Sequence, residues 1–113
     1  MLTTLEFRFR KNSWKLEVAA DMPACLRKTK TQSPDLVIVD LEISPEQGLE
    51  TIRQLAREYG KALPVIAAAS LENGDLLLES LQAGAQDFII TPYKPDELIL
   101  RIRRLLKFQK VES

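Results

Sequence analysis

Pro34-Asp35-Leu36-Val37-Ile38-Val39-Asp40 is the stretch on which the fold turns. Its aliphatic run does not alternate with polar residues. A strand buried on both faces of a parallel sheet reads this way. The run ends on a carboxylate. In open parallel sheets ligand sites lie beyond the C-terminal ends of the strands, so Asp40 stands where chemistry belongs.

Two more short apolar runs follow, Val65-Ile66-Ala67-Ala68-Ala69 and Phe88-Ile89-Ile90. Helical patterns lie between and after them. Leu49, Ile52, Leu55 and Ala56 fall at helical spacing, and Gly60 follows as a stop. Leu77, Leu78 and Leu81 make a second stripe, with Asn73 as a cap and Gly84 as a stop. Leu98, Ile99, Ile102, Leu105 and Leu106 make a third, opened by Pro95 with Asp96 and Glu97 in its first turn. Strand alternating with helix predicts an α/β layer fold around a parallel sheet.

Toward the N-terminus the period changes. Leu5, Phe7 and Phe9 alternate with charged residues, and after Lys11-Asn12-Ser13 so do Trp14, Leu16 and Val18. Period two, twice, with turn residues between, predicts a β-hairpin. Arg8 and Arg10 place its first strand, Leu5–Arg10, at the sheet edge. A short helix over Pro23–Lys30 then leads into the strand at 36–39. Phe9 and Trp14 read as core. So does Cys25, as a small apolar residue rather than a reactive thiol.

The chain of 113 residues is one domain by size, 1–113, with no linker or repeat dividing it. It has no histidine and a single cysteine. Imidazole catalysis, an internal disulfide and cysteine metal clusters are thereby excluded. No apolar run exceeds about six residues, too few for a bilayer span. No signal-peptide block opens the sequence. A cytoplasmic setting away from membranes is the expectation. Lys plus Arg and Asp plus Glu number 16 each, so net charge gives no hint of nucleic acid. The balance hides a skew. Residues 1–30 carry +4, residues 31–93 carry −7 and residues 94–113 carry +3. If the two ends meet, the domain has a basic and an acidic side.

Several signals keep a fixed order: Asp40 at a strand end, Gly48 opening a helix, Leu63-Pro64-Val65-Ile66 opening a strand, Ala83-Gly84-Ala85-Gln86-Asp87-Phe88, and Thr91-Pro92-Tyr93 ahead of Pro95-Asp96-Glu97-Leu98. In this order and spacing the chain resembles the receiver domain of bacterial response regulators, over about residues 14–108. The resemblance implies a three-layer, flavodoxin-like α/β fold with a mostly parallel sheet. Here the N-terminal hairpin would replace the first β–α unit. It also implies a signalling role, with Asp40 as the aspartate that accepts a phosphoryl group from a sensor kinase. The Thr91-Pro92 step matches one that is cis in the family.

In such receivers a magnesium ion, an acidic pair, a lysine and a hydroxyl residue offset the repulsion between carboxylate and phosphoryl group. This sequence departs from that set. Ala69 matches the hydroxyl position, with Ser70 one place later. Thr91 matches the lysine, and Tyr93 matches the switch aromatic. Asp40, Glu42 and Asp21 are the weak candidates for magnesium, and Asp21 reads first as a helix cap. Losing one preorganised charge at a reacting centre costs about 3–4 kcal/mol.

Two main functional readings follow. In the first the chain is a degenerate receiver, not an enzyme, acting by protein–protein contact, with no certain cofactor. In the second it is a working phosphoacceptor that catalyses phosphoryl transfer on Asp40 with magnesium. A third takes it as a module of a longer protein, with Lys107-Phe108-Gln109-Lys110 starting a connector. The basic residues Arg101, Arg103, Arg104, Lys107 and Lys110, with Arg8, Arg10 and Lys15, are a candidate docking patch rather than a nucleic-acid site. A free edge and a bare sheet face invite a second copy, so a homodimer is the expected assembly.

Overall fold

β2, Val65–Ser70, is the centre of the molecule. Val65 to Ala69 are all buried, and the strand pairs on both sides with parallel neighbours. Its neighbours are β1, Val37–Asp40, and β3, Asp87–Thr91, in the order β1-β2-β3. The computed structural model describes residues 2–112, with side chains from Leu5 to Lys107. Alternate residues of β2 serve opposite faces. Val65, Ala67 and Ala69 join Val39, Leu41, Leu49, Ile52, Leu55 and Leu77 in one core. Ile66 and Ala68 join Phe9, Ile89, Leu98, Ile99 and Ile102 in the other. Helices cover both faces, which makes the three-layer parallel α/β fold expected from the apolar runs.

The first core lies under α3 (Pro45–Tyr59) and α4 (Gly74–Ala83), with α2 (Met22–Gln32) packed against α3. Pro45 opens α3 and buries its Leu49–Ile52–Leu55 stripe, while Gly60 closes it at φ 56°. Ile52 and Leu55 are fully buried. Each contributes about 1.5–3 kcal/mol of apolar burial. Gly84, at φ 123°, ends α4 where an added Cβ would stand 2.5 Å from the Ala56 Cβ. In α4 the stripe is narrower than its leucines suggest. Leu77 is buried, but Leu78 and Leu81 face outward and the buried polar Ser80 takes the inner place, its hydroxyl donating to the Leu77 carbonyl at 2.6 Å. α5, Pro95–Glu112, covers the second face and buries Leu98, Ile99 and Ile102.

The N-terminus corrects the hairpin. Leu2–Lys11 is a helix, α1, packed on α5. Leu5 and Phe9 are one helical turn apart and share its inner side, whereas Phe7 is 56% exposed. Arg8, Arg10 and Lys11 crowd the last turn, where cations suit the negative end of a helix. The chain then turns through Ser13 at φ 62°, and Trp14 packs edge-on against Phe9 with ring centroids 5.6 Å apart. Residues 14–19 have no ladder partner and Leu2–Lys11 is helical, so no hairpin forms and the expected edge strand Leu5–Arg10 is absent.

That arrangement leaves β1 at an edge. Leu36, Val37 and Ile38 are only half-buried, against the expectation of a strand covered on both faces. Val37 and Leu41 send their N–H groups toward β2, to Pro64 at 3.0 Å and Ala68 at 2.8 Å. The intervening Ile38 and Asp40 amides therefore face the open side. Thr91–Pro92 is cis, as the resemblance implied.

Candidate functional site at the C-terminal rim of the sheet

Parallel strands end together, so Asp40, Ser70 and Thr91 gather at one rim. The register pairs Asp40 with Ala68, and Ser70 with Thr91. Asp40, Ser70 and Thr91 thus occupy positions of one sheet face, and Ala69 belongs to the other. Burial agrees. Ala69 is fully buried in the core under α3 and α4, while Ser70 is half-exposed at the strand end. Of the two candidates at the hydroxyl position, only Ser70 stands at the rim.

Asp40 is exposed. Its Oδ1 accepts the backbone N–H of Glu42 at 2.9 Å, which closes the loop after β1 on itself. None of the ion pairs among the described residues includes it. The half-buried Tyr93 lies close enough to feel its charge. Burial first, and then Asp40, raises the Tyr93 phenol above its ordinary pKa. The half-buried Thr91 ends β3.

Glu42 does not stand beside Asp40 as a metal ligand. Its carboxylate crosses to the loop after β2. Oε1 accepts the Ser70 backbone N–H, and Oε2 accepts the Asn73 side-chain amide at 2.9 Å. These bonds, Ser70's first, hold the Glu42 carboxyl below its usual pKa. Asp21 is committed elsewhere, capping α2 through the Ala24 N–H at 2.9 Å. The three candidate carboxylates are thus not assembled. Among the described residues no group of three or more Asp, Glu, Cys or His side chains is placed to hold a metal ion. The rim's own set does not fit magnesium, which asks for several oxygen ligands in octahedral array.

Sequence reasoning missed the part played by Asn73. It stands at the N-cap of α4 but makes no capping bond, and its amide serves Glu42 and Ser70 instead.

Between α1 and α5, Arg8, Lys11, Asn12, Asp96 and Arg103 line a groove together with Ile99 and Leu100. Part of the expected basic patch is already paired. Arg8 binds Asp96 at 2.7 Å, Arg103 binds Asn12, and Arg101 binds Asp87 at 3.0 Å. Lys110 lies outside the residues whose side chains are described. Among the described residues no helix is long and apolar enough to cross a membrane.

Comparison with known proteins agrees with this architecture. Regulatory protein VirG of Agrobacterium fabrum is 34% identical over 96 residues, covering 85% of this chain and 38% of its own. The alkaline phosphatase synthesis transcriptional regulatory protein PhoP of Bacillus subtilis is 27% identical over 114 residues, covering 100% of this chain and 47% of its own. The chain therefore spans less than half the length of these relatives. The receiver domain of NtrX from Brucella abortus superposes with a TM-score of 0.82 at 24% identity, over 92% of this chain and 88% of that one. A CheY-like receiver domain protein of Methanospirillum hungatei superposes equally, at 0.82 and 25% identity, over 99% of this chain and 89% of that one. Residues 1–103 match the response regulator receiver domain as a family, and to that family this chain belongs.

Proposed function

We propose that the chain is a degenerate receiver that signals by protein–protein contact, in a cytoplasmic setting, and takes up phosphoryl groups poorly. The observation that carries this reading is the make-up of the rim. Asp40 has Thr91 in place of the lysine, and the carboxylates that would help hold a metal, Glu42 and Asp21, are engaged elsewhere; of the hydroxyl pair only Ser70, not the buried Ala69, reaches the rim. A carboxylate attacking an anionic phosphoryl group meets strong repulsion. Each missing helper costs about 3–4 kcal/mol, two to three decades in rate. Two such losses make phosphorylation slow on a signalling timescale.

A second reading keeps Asp40 as a working phosphoacceptor, loaded by a sensor kinase with magnesium. Its support is the exposure of Asp40 at the end of β1. Incubation with acetyl phosphate and magnesium, read by intact mass, separates the two. The degenerate reading expects no phosphoryl gain within an hour. A rapid gain that disappears in Asp40→Asn sustains the second reading instead.

Contacts have three candidate surfaces. The exposed outer side of α4 carries Leu78 beside Asp75 and Glu79. The groove between α1 and α5 offers Lys11 and Arg103 around Leu100, a surface for an acidic protein partner rather than nucleic acid. The free edge of β1, with its half-buried Leu36, Val37 and Ile38, favours a homodimer.

A further inference from the structure

Glu42 joins the loop after β1 to the loop after β2. Its backbone N–H donates to Asp40 Oδ1 at 2.9 Å. Its carboxylate accepts the Ser70 N–H on one oxygen and the Asn73 side-chain amide on the other. Asn73 also donates to the Ser70 hydroxyl at 3.3 Å. A continuous run of hydrogen bonds thus links the end of β1 to the residue before α4. The Ser70 N–H is the last amide of β2 before the chain enters the 3₁₀ turn Leu71–Asn73.

We propose that Glu42 is a built-in anion: it fills the donors of Ser70 and Asn73, bars an external oxyanion from the space beside Asp40, and holds the head of α4 fixed from within the chain. Hydrogen bonds to an ionised carboxylate are roughly twice as strong as neutral ones, so this contact is a firm one for an exposed side chain. A glutamate is already ionised at neutral pH, and these bonds lower its pKa further. An incoming oxyanion meets two negative groups, Asp40 and Glu42, and finds the nearby donors already taken. Displacing Glu42 is then the first cost of binding. The inference rests on the reading that Asp40 is where such an oxyanion would seat.

Amide hydrogen exchange at Ser70, followed by NMR on the full chain, tests the tether in wild type, Glu42→Gln and Glu42→Ala. Removing the acceptor speeds Ser70 exchange about tenfold in Glu42→Ala, the equivalent of one hydrogen bond. Glu42→Gln keeps one acceptor oxygen and shows a smaller rise, a graded response that misfolding would not give. Inorganic phosphate, without metal, is the oxyanion probe. It shifts the amides of residues 40–42 and 70 saturably in Glu42→Ala, leaves wild type unmoved, and binds more tightly when Asp40→Asn removes the second negative group. Unchanged exchange at Ser70, or equal responses of wild type and Glu42→Ala to phosphate, overturns the proposal. Acetyl phosphate labelling of wild type tests the degenerate reading and Ser70 exchange tests the tether, so the two fail separately.

Discussion

Asp40 and Glu42 are two residues apart and do different work. The first turns its carboxylate back onto the loop, and the second spends its carboxylate on Ser70 and Asn73. Asp40 was legible in the sequence because a buried strand that ends on an acid marks a sheet rim without any knowledge of contacts. The contact from Glu42 was not, because its partners lie 28 and 31 residues away. No local spacing encodes that pairing. It arises only when parallel strands bring separate loops together. The titration of two residues at this rim gives a pH signature. The folded-state pKa of Glu42 is lowered by its bonds to Ser70, so its contribution to stability is whole above the unfolded value and fades as pH falls through the folded one. The folded-state pKa of Tyr93 is raised by burial and then by Asp40, so its contribution is whole below the unfolded value and fades as pH climbs through the folded one. Denaturant titrations across pH check both. Glu42→Gln should flatten the acid limb and Tyr93→Phe the alkaline limb, and unaltered limbs would show the shifts to be misassigned.

At the scale of elements, the strands were readable as short unbroken apolar runs, and the three helices from Pro45 onward by apolar residues at helical spacing between stop and start signals. α1 was not. Leu5, Phe7 and Phe9 satisfy period two, yet Leu5 and Phe9 alone satisfy a helical turn, and over so short a stretch the two patterns coincide. Tertiary packing decided between them: α1 gains burial for Phe9 against α5 and Trp14, and the alternative strand had no neighbour to pair with. The same ambiguity supplies a test. In a hairpin Phe7 and Phe9 would be equivalent inward residues. In α1 Phe9 is 5% exposed and Phe7 56%. Phe9→Ala should therefore cost about 3 kcal/mol in chemical denaturation, and Phe7→Ala no more than about 0.5–1 kcal/mol for an exposed site with one cation–π contact to Lys11. Equal costs would restore the strand.

On the scale of the whole molecule, the sheet has its best-covered strand in the middle and unequal margins. β2 is sealed on both faces, while β1 presents unpaired amides and half-buried aliphatics along its outer side. No edge lysine, proline or bulge blunts it between Leu36 and Val39. Sedimentation equilibrium should accordingly show a concentration-dependent dimer, which Ile38→Lys shifts back to monomer; monomer alone at high concentration would contradict that use of the edge. The charge skew resolves in the same frame. Arg8, Arg10 and Lys11 of α1 meet the basic α5 across the sheet from the acidic α4, whereas Arg27, Lys28 and Lys30 of the same basic segment lie on α2 against α3. Their meeting was foreseeable only as a condition, because sequence gives charges but not which helices become neighbours. Calorimetric titration of the intact protein with magnesium tests the account most directly, since the proposed weak acceptance at Asp40 rests on a metal-poor rim. The account predicts no saturable heat up to several millimolar and no difference between wild type and Asp40→Asn. A saturable site lost in Asp40→Asn would contradict it.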